Sequence, residues 1–441
     1  MKKRLVAALL TAVMTASMVM TGCGSKAQEG SAEPQQSAQP AAEQTAAPAQ
    51  NELPAGEKPT IKFYGKVIEY TSGPLMVEAL QEKVKDQYNI DAIQVDWANL
   101  EKVIRTGLAS GDPCDIYNYN PYDMATFADA AVDLKPYLDA DPEWKAQFSE
   151  DKLKAVTIDG KIVAIPWESN FTVIVANKKL LDNAGVTVPE KWTYSEFMDA
   201  CKKLQDSGVA PFANSSDLSH GEWLFRPAML SETLSAGSYD QYINRELSFK
   251  GEETKKVLET IKSLYDAGYM YPGEGAVTVK SDELKAALSQ EKLAMMTDIG
   301  AGAKVTADEL KASGIDAVII PWPSMSDTPA LNGAGNCFFI PNSSKNIDAA
   351  VDVIKAYTQA DIQAIHADEG YIPVNKNVEI KDEFVKTVVA QSETCVPDVV
   401  WPAEMNDYRL NSLIPDLILN GGVDTVIDRL EELRLSAVAG E

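Results

Sequence analysis

The chain has 441 residues, with 40 Lys plus Arg against 65 Asp plus Glu, two His and a formal net charge of −25. A charge of this sign excludes a nucleic-acid binder, which needs clustered Lys and Arg against phosphate, and it repels an anionic lipid surface unless a covalent group holds the protein there. With 45% hydrophobic residues, most of the chain has a core to bury and its length allows two lobes or domains, which rules out global disorder and a membrane bundle.

At the N-terminus Lys2, Lys3 and Arg4 precede an apolar stretch from residue 5 to 20, interrupted by Thr11, Thr15 and Ser17. This is the pattern of a secretory signal peptide, and the stretch is shorter than the roughly 20 apolar residues a bilayer span needs. Met20-Thr21-Gly22-Cys23 follows. It resembles the bacterial lipobox, in which the cysteine receives a diacylglyceryl group before cleavage in front of it, although Met20 stands where Leu is usual. The resemblance implies a leader over 1–22, lipid on Cys23 and a mature charge of −28, since three basic and no acidic groups leave with the leader. Residues 23–59 then carry the lipidated cysteine and a linker rich in Ala, Gln, Glu, Ser and Pro, with no aromatic residue before Phe63. Nothing there offsets the entropy of ordering, so it reads as a disordered tether.

From Thr60 short β-rich runs alternate with amphipathic helices, an α/β pattern with mainly parallel sheets. Strands are expected at 61–64, 92–96, 115–119, 162–165, 172–176, 293–297, 317–320 and 337–340. Thr193 with Glu196 has capping-box spacing, and Trp192 and Phe197 occupy the two positions of a hydrophobic staple. Trp192 is therefore assigned to helix initiation. The helix 253–267 puts Val257, Leu258, Ile261, Leu264 and Tyr265 on one stripe before Gly268. Thr306 with Glu309 repeats the capping-box spacing and marks another helix start. The tail 422–437 carries Val426, Ile427, Leu430 and Leu433 at helical spacing and is expected to pack on a lobe. Cys114, Cys201, Cys337 and Cys395 match no metal or redox spacing. Cys201 and Cys337, in an expected helix and strand, read as small buried hydrophobes, and no pairing is assigned.

The common catalytic signatures are missing: no G-x-S-x-G, no H-E-x-x-H, no G-x-x-x-x-G-K and no G-x-G-x-x-G after a strand. His220 and His366 leave little room for a zinc site or a histidine-based triad, and both read as ordinary loop or helix residues. No cofactor and no metal are expected. A carboxylate pair such as Asp139 and Asp141 reads as a solvated loop, but glycoside hydrolysis needs only two carboxylates, so that alternative stays open.

Several segments, in order, resemble family 1 extracellular solute-binding proteins of bacterial sugar ABC importers. They include Asp159-Gly160-Lys161 leading to Pro166, Asn177-Lys178, Ala184-Gly185, Pro189, and Trp192-Thr193-Tyr194-Ser195-Glu196-Phe197. Gly111-Asp112-Pro113-Cys114-Asp115, Met296-Thr297-Asp298, Gly333-Ala334-Gly335 and Glu369-Gly370-Tyr371-Ile372-Pro373 continue the series. The resemblance implies a two-lobed, periplasmic-binding-protein-like α/β fold of type II, with ligand held in a cleft between lobes joined by crossing segments. Crossings are expected near 164–168, 296–298 and 333–336. Lobe one would then be 60–165 plus 297–335, and lobe two 166–296 plus 336–441.

A sugar presents hydroxyls and apolar C–H faces, so its site needs carboxylates or amides as acceptors and aromatic rings as platforms. Trp167, just past the first expected crossing, is the leading candidate, with Glu168 and Ser169 beside it to hydrogen-bond hydroxyls. For Trp401 and Trp223 a ligand platform and a core residue remain equal readings, while Trp97 and Trp322 are assigned to packing and Trp144 to an exposed loop. The resemblance puts Asp298 at a position that often faces the cleft; Glu69, Asn118, Gly335 and Tyr371 are added from loop position. Asp115 is read as fixing the loop after it, and Arg226 as a surface ion pair.

The expected function is a lipid-anchored, extracellular receptor that captures a carbohydrate, in particular an oligosaccharide. It would act as a monomer on the outer face of the cytoplasmic membrane and deliver its solute to the transmembrane subunits of an ABC permease, with no nucleic-acid partner. One rival is the same fold holding a polyamine between carboxylates and Trp faces; another, from a different class, is a secreted glycoside hydrolase.

Overall fold

The computed structural model describes residues 58–65, 70–111, 113–217, 220–399 and 401–439. The leader, Cys23, nearly all of the tether and Glu69 lie outside the described residues.

Two sheets organise the chain. In the first, Thr60–Gly65 pairs in parallel with Asn89–Gln94 and with Ile116–Tyr119, which pairs antiparallel with Ala334–Phe339. That strand pairs antiparallel with Ile165–Asn170, and Ile372–Pro373 closes the edge. In the second sheet the order is Ala317–Ile320, Thr172–Asn177, Leu293–Ile299, Ala210–Ala213, antiparallel except for the last pair. Thr172–Asn177 is buried at every residue, as an unbroken apolar run with both faces covered should be. The expectation of mainly parallel sheets therefore fails, because most neighbours here are joined by strands returning from the other sheet.

Each sheet carries its own core. One core joins Ile61, Phe63, Ile116, Ile165, Trp167 and Phe338 to Val353, Tyr357 and Ile362. The other joins Val173–Val175, Phe197, Phe212, Leu258 and Met295 to Ile320, Trp401, Leu413 and Leu430. The expected division of the lobes does not follow these cores. The segment from Ala303 to Leu331 packs in the second core, and Cys337 to Ile362 packs in the first. No crossing occurs at 296–298: Leu293–Ile299 runs on as an inner strand of the second sheet, paired on both sides. Leu293, Ala294, Met295 and Met296 are buried there. The chain instead passes between sheets at Phe171 and between Leu331 and Ala334, and it leaves the first sheet again after Pro373.

Local signals were reliable where the chemistry was local. Thr193 and Glu196 form the full capping box of Tyr194–Asp206, and Trp192 meets Phe197 edge to face at 5.2 Å. The tail forms the helix Val423–Ala439 with Val426, Leu430 and Leu433 buried. Cys201 and Cys337 are fully buried, and neither they nor Cys114 and Cys395 form a disulfide. Thr306 is different: it sits inside the helix Gly300–Ala312, and its hydroxyl donates to Asp298 Oδ2 at 2.6 Å. Trp144 is a core residue and not an exposed one, because its Nε1 donates to Thr358 Oγ1 at 3.0 Å across the first lobe.

Candidate ligand site at the lobe crossing

The strand Ile165–Asn170 carries the site. Its partner Ala334–Phe339 approaches so closely that a Cβ on Gly335 would lie 1.9 Å from the Glu168 carbonyl oxygen. Glycine is thus required at 335 for backbone contact, which explains its presence without a ligand. A register shift between Asn336 and Cys337 lets Asn336 turn toward Glu168.

Around this strand a buried polar chain forms. Trp167 Nε1 donates to Asn118 Oδ1 at 2.7 Å, Asn118 Nδ2 donates to Asn336 Oδ1 at 3.0 Å, and Asn336 Nδ2 donates to Glu168 Oε2. The Tyr70 hydroxyl donates to the same carboxylate oxygen at 3.1 Å. A buried carboxylate is costly unless hydrogen-bonded, and here an amide and a phenol stabilise it. Aromatic rings enclose the chain. Trp167 stacks on Phe338 at 5.3 Å, Tyr70 meets Tyr371 at 4.8 Å, and His366 stacks on Tyr371 at 4.7 Å.

His366 is fully buried, and burial pushes its pKa down to about 3. Its Nδ1 lies 2.8 Å from Ser72 Oγ, and its Nε2 stands 4.0 Å from Glu168 Oε1, too far for a hydrogen bond. At neutral pH it is therefore an uncharged member of the ring cluster. Reading it as an ordinary helix residue missed this. The available signal was its spacing of four from Ile362, which puts both on the core face of Ala360–Asp368.

Of the residues expected from sequence, Trp167, Glu168, Asn118, Gly335 and Tyr371 come together here. Tyr70, Asn336 and His366 belong to the same cluster and were not anticipated, although Asn336 adjoins Gly335 within an expected crossing. Trp167 has no exposed ring face, so in this conformation it forms the wall behind the carboxylate and not an open platform.

Trp223, Trp401 and Asp298 lie in the second lobe. Asp298 accepts from Thr306 Oγ1 and from the Ile299 N–H at 2.7 Å; burial raises its pKa, and those bonds act against the rise. The aspartate thus braces the start of Gly300–Ala312. Trp401 packs on Phe249 at 5.7 Å under the Arg245 guanidinium, and its buried indole N–H has no acceptor among the described residues. Trp223 is buried in the first turn of His220–Ala236. Arg226 is paired with the fully buried carboxylate of Asp398 at 2.6 Å, so its ion pair is an interior one. Asp115 accepts from the Lys62 N–H, Ser344 Oγ and Asn346 Nδ2, tying distant segments together and not only its own loop. Among the described residues no group of three or more His, Cys, Asp or Glu is placed to hold a metal ion.

The sequence profile described as bacterial extracellular solute-binding protein matches residues 76–390. The chain belongs to this family. An uncharacterized ABC transporter extracellular-binding protein of Pyrococcus horikoshii is 24% identical over 201 residues, which are 42% of this chain and 45% of that protein. The chain thus matches somewhat less than half the length of that relative. Among solved structures, the GacH receptor of Streptomyces glaucescens, studied unliganded and with acarbose and an acarbose homolog, superposes with a TM-score of 0.71 at 17% identity. The match covers 87% of this chain and 99% of GacH. Maltose-bound MalE3 of T. maritima gives a TM-score of 0.66 at 20% identity, over 85% of this chain and all of the other. The fold is therefore the two-lobed α/β fold of solute-binding proteins.

Proposed function

We propose that this family member is a lipid-anchored extracellular receptor that captures a carbohydrate, specifically an oligosaccharide, and delivers it to an ABC permease without chemical change. The observation that carries the reading is the convergence of one carboxylate, two amides and several aromatic rings beside the crossing at Phe171. Carboxylates and amides match sugar hydroxyls, and ring faces match C–H surfaces. Complexes of structurally similar proteins with acarbose and with maltose support the same ligand class. Closure of the lobes around ligand, absorbed by the few residues of the crossings, would present one surface to the permease.

A thermal-shift screen with mono- and oligosaccharides and with polyamines tests the ligand class. A ligand at 100 times its Kd stabilises the bound fold by about 2.7 kcal/mol, and an oligosaccharide is expected to give such a shift and to be recovered intact. A shift with amines alone would overturn the carbohydrate reading, and release of cleaved sugar would overturn the receptor reading.

A further inference from the structure

A cavity of about 460 Å³ opens in the first lobe between Thr60–Gly65, the helix Trp97–Ser110 and the segment 113–117. It shares no residue with the crossing cluster. We propose that it is a second ligand site, for a small organic anion with a flat apolar body, such as an aromatic carboxylate.

The helix packs on the sheet through Leu100 and Ile104 in the first core, and the cavity lies along its side. A Cβ on Gly107 would lie 2.3 Å from the Tyr117 hydroxyl oxygen, so that turn touches the sheet at one end of the cavity. Tyr117 is locked in place: its hydroxyl accepts from the Cys114 N–H at 3.1 Å, and its ring meets Tyr64 edge to face at 6.1 Å. Two rings near a right angle, with Val103 and Pro113, give the cavity an apolar floor.

The rim decides the charge. Lys62 and Lys102 both line the cavity, neither forms an ion pair with a described residue, and no carboxylate side chain of a described residue belongs to the lining. Asp91 stands opposite Lys62 on the neighbouring strand but outside the lining, and Asp115 is engaged by the Lys62 N–H, Ser344 and Asn346. An ammonium pair above an apolar floor favours a carboxylate on a ring, disfavours an amine, and gives a neutral sugar only uncharged acceptors, on Asn99, Thr106, Tyr64 and Tyr117. The Cys114 thiol is spent on the Lys62 and Ile116 carbonyls and is held in its protonated form by burial, so the site is one for binding and not for thiol chemistry. The volume falls within the range of about 300–1,000 Å³ typical of small-molecule sites.

Isothermal titration of the whole protein with benzoate, benzyl alcohol and benzylamine tests the proposal. Benzoate is expected to bind saturably and at least about tenfold more tightly than either other probe, since a charge-assisted pair contributes more than about 1.4 kcal/mol. The double variant Lys62→Gln, Lys102→Gln should weaken benzoate at least about tenfold, with thermal unfolding monitored to confirm that it folds. Val103→Trp, which fills the floor, should abolish binding. Equal binding of the three probes, unchanged affinity in the double variant, or no saturable benzoate binding would each overturn the proposal. None of these outcomes bears on carbohydrate capture, which is read separately from the sugar-induced thermal shift.

Discussion

Trp167 shows how burial can change the role that a residue type suggests. From sequence its ring reads as a platform; the structure buries that ring against Phe338 and spends its N–H on Asn118. Replacing it by Ala removes a large buried side chain, so Trp167→Ala is expected to cost about 3–5 kcal/mol in urea unfolding. A loss below about 1 kcal/mol would return the ring to the ligand surface. His366 supplies a pH test at the same scale. Its folded pKa of about 3 lies below the ordinary value of 6.5, so the unfolded chain binds a proton between those values and the folded one does not. Stability from this group is complete above pH 6.5 and is lost progressively as pH falls toward 3. His366→Gln should therefore flatten the decline of Tm with falling pH across that window relative to the unmodified protein, and parallel profiles would refute it.

At the level of elements, identical spacings gave opposite outcomes. Thr193-x-x-Glu196 closes a capping box because Trp192 is pinned by Phe197 and donates its indole N–H to the Pro321 carbonyl at 2.6 Å. Thr306-x-x-Glu309 does not, because Gly300 already begins the helix after Ile299 and the Thr306 hydroxyl is needed by Asp298. A spacing motif states only that two groups can meet on one turn; the surrounding pack decides whether that turn is the first. Thr306→Val should cost about 1–3 kcal/mol by leaving a buried carboxylate oxygen without its donor. The loss should be read by chemical denaturation, and a neutral result would mean that the hydroxyl is dispensable. The same limit applied to strands. The apolar run 293–297 was legible as a strand, but its place inside the second sheet, with neighbours on both sides, came from residues more than eighty positions away.

For the whole molecule, the charge of −25 makes attachment to an acidic membrane surface depend on something other than electrostatics. The reading of Cys23 as lipidated predicts incorporation of labelled palmitate into the protein in its host and none into Cys23→Ser; an unlabelled wild-type protein would refute the anchor. The lobes themselves show what could be read and what could not. The α/β class, the strand segments and the family resemblance were accessible from local patterns, because periodicity, caps and motif order are properties of short stretches.

What the sequence by itself determined was thus the kinds of element, their approximate positions, the acidity and the residue types available at the first crossing. What only the tertiary structure decided was which lobe owns 303–331 and 337–362, that Trp401 and Asp298 sit apart from Glu168, and that Tyr70, Asn336 and His366 join it. The physical reason is that those outcomes depend on pairings between distant strands. The closing of such contacts is driven by burial of whole faces, and no window along the chain contains both sides of a face.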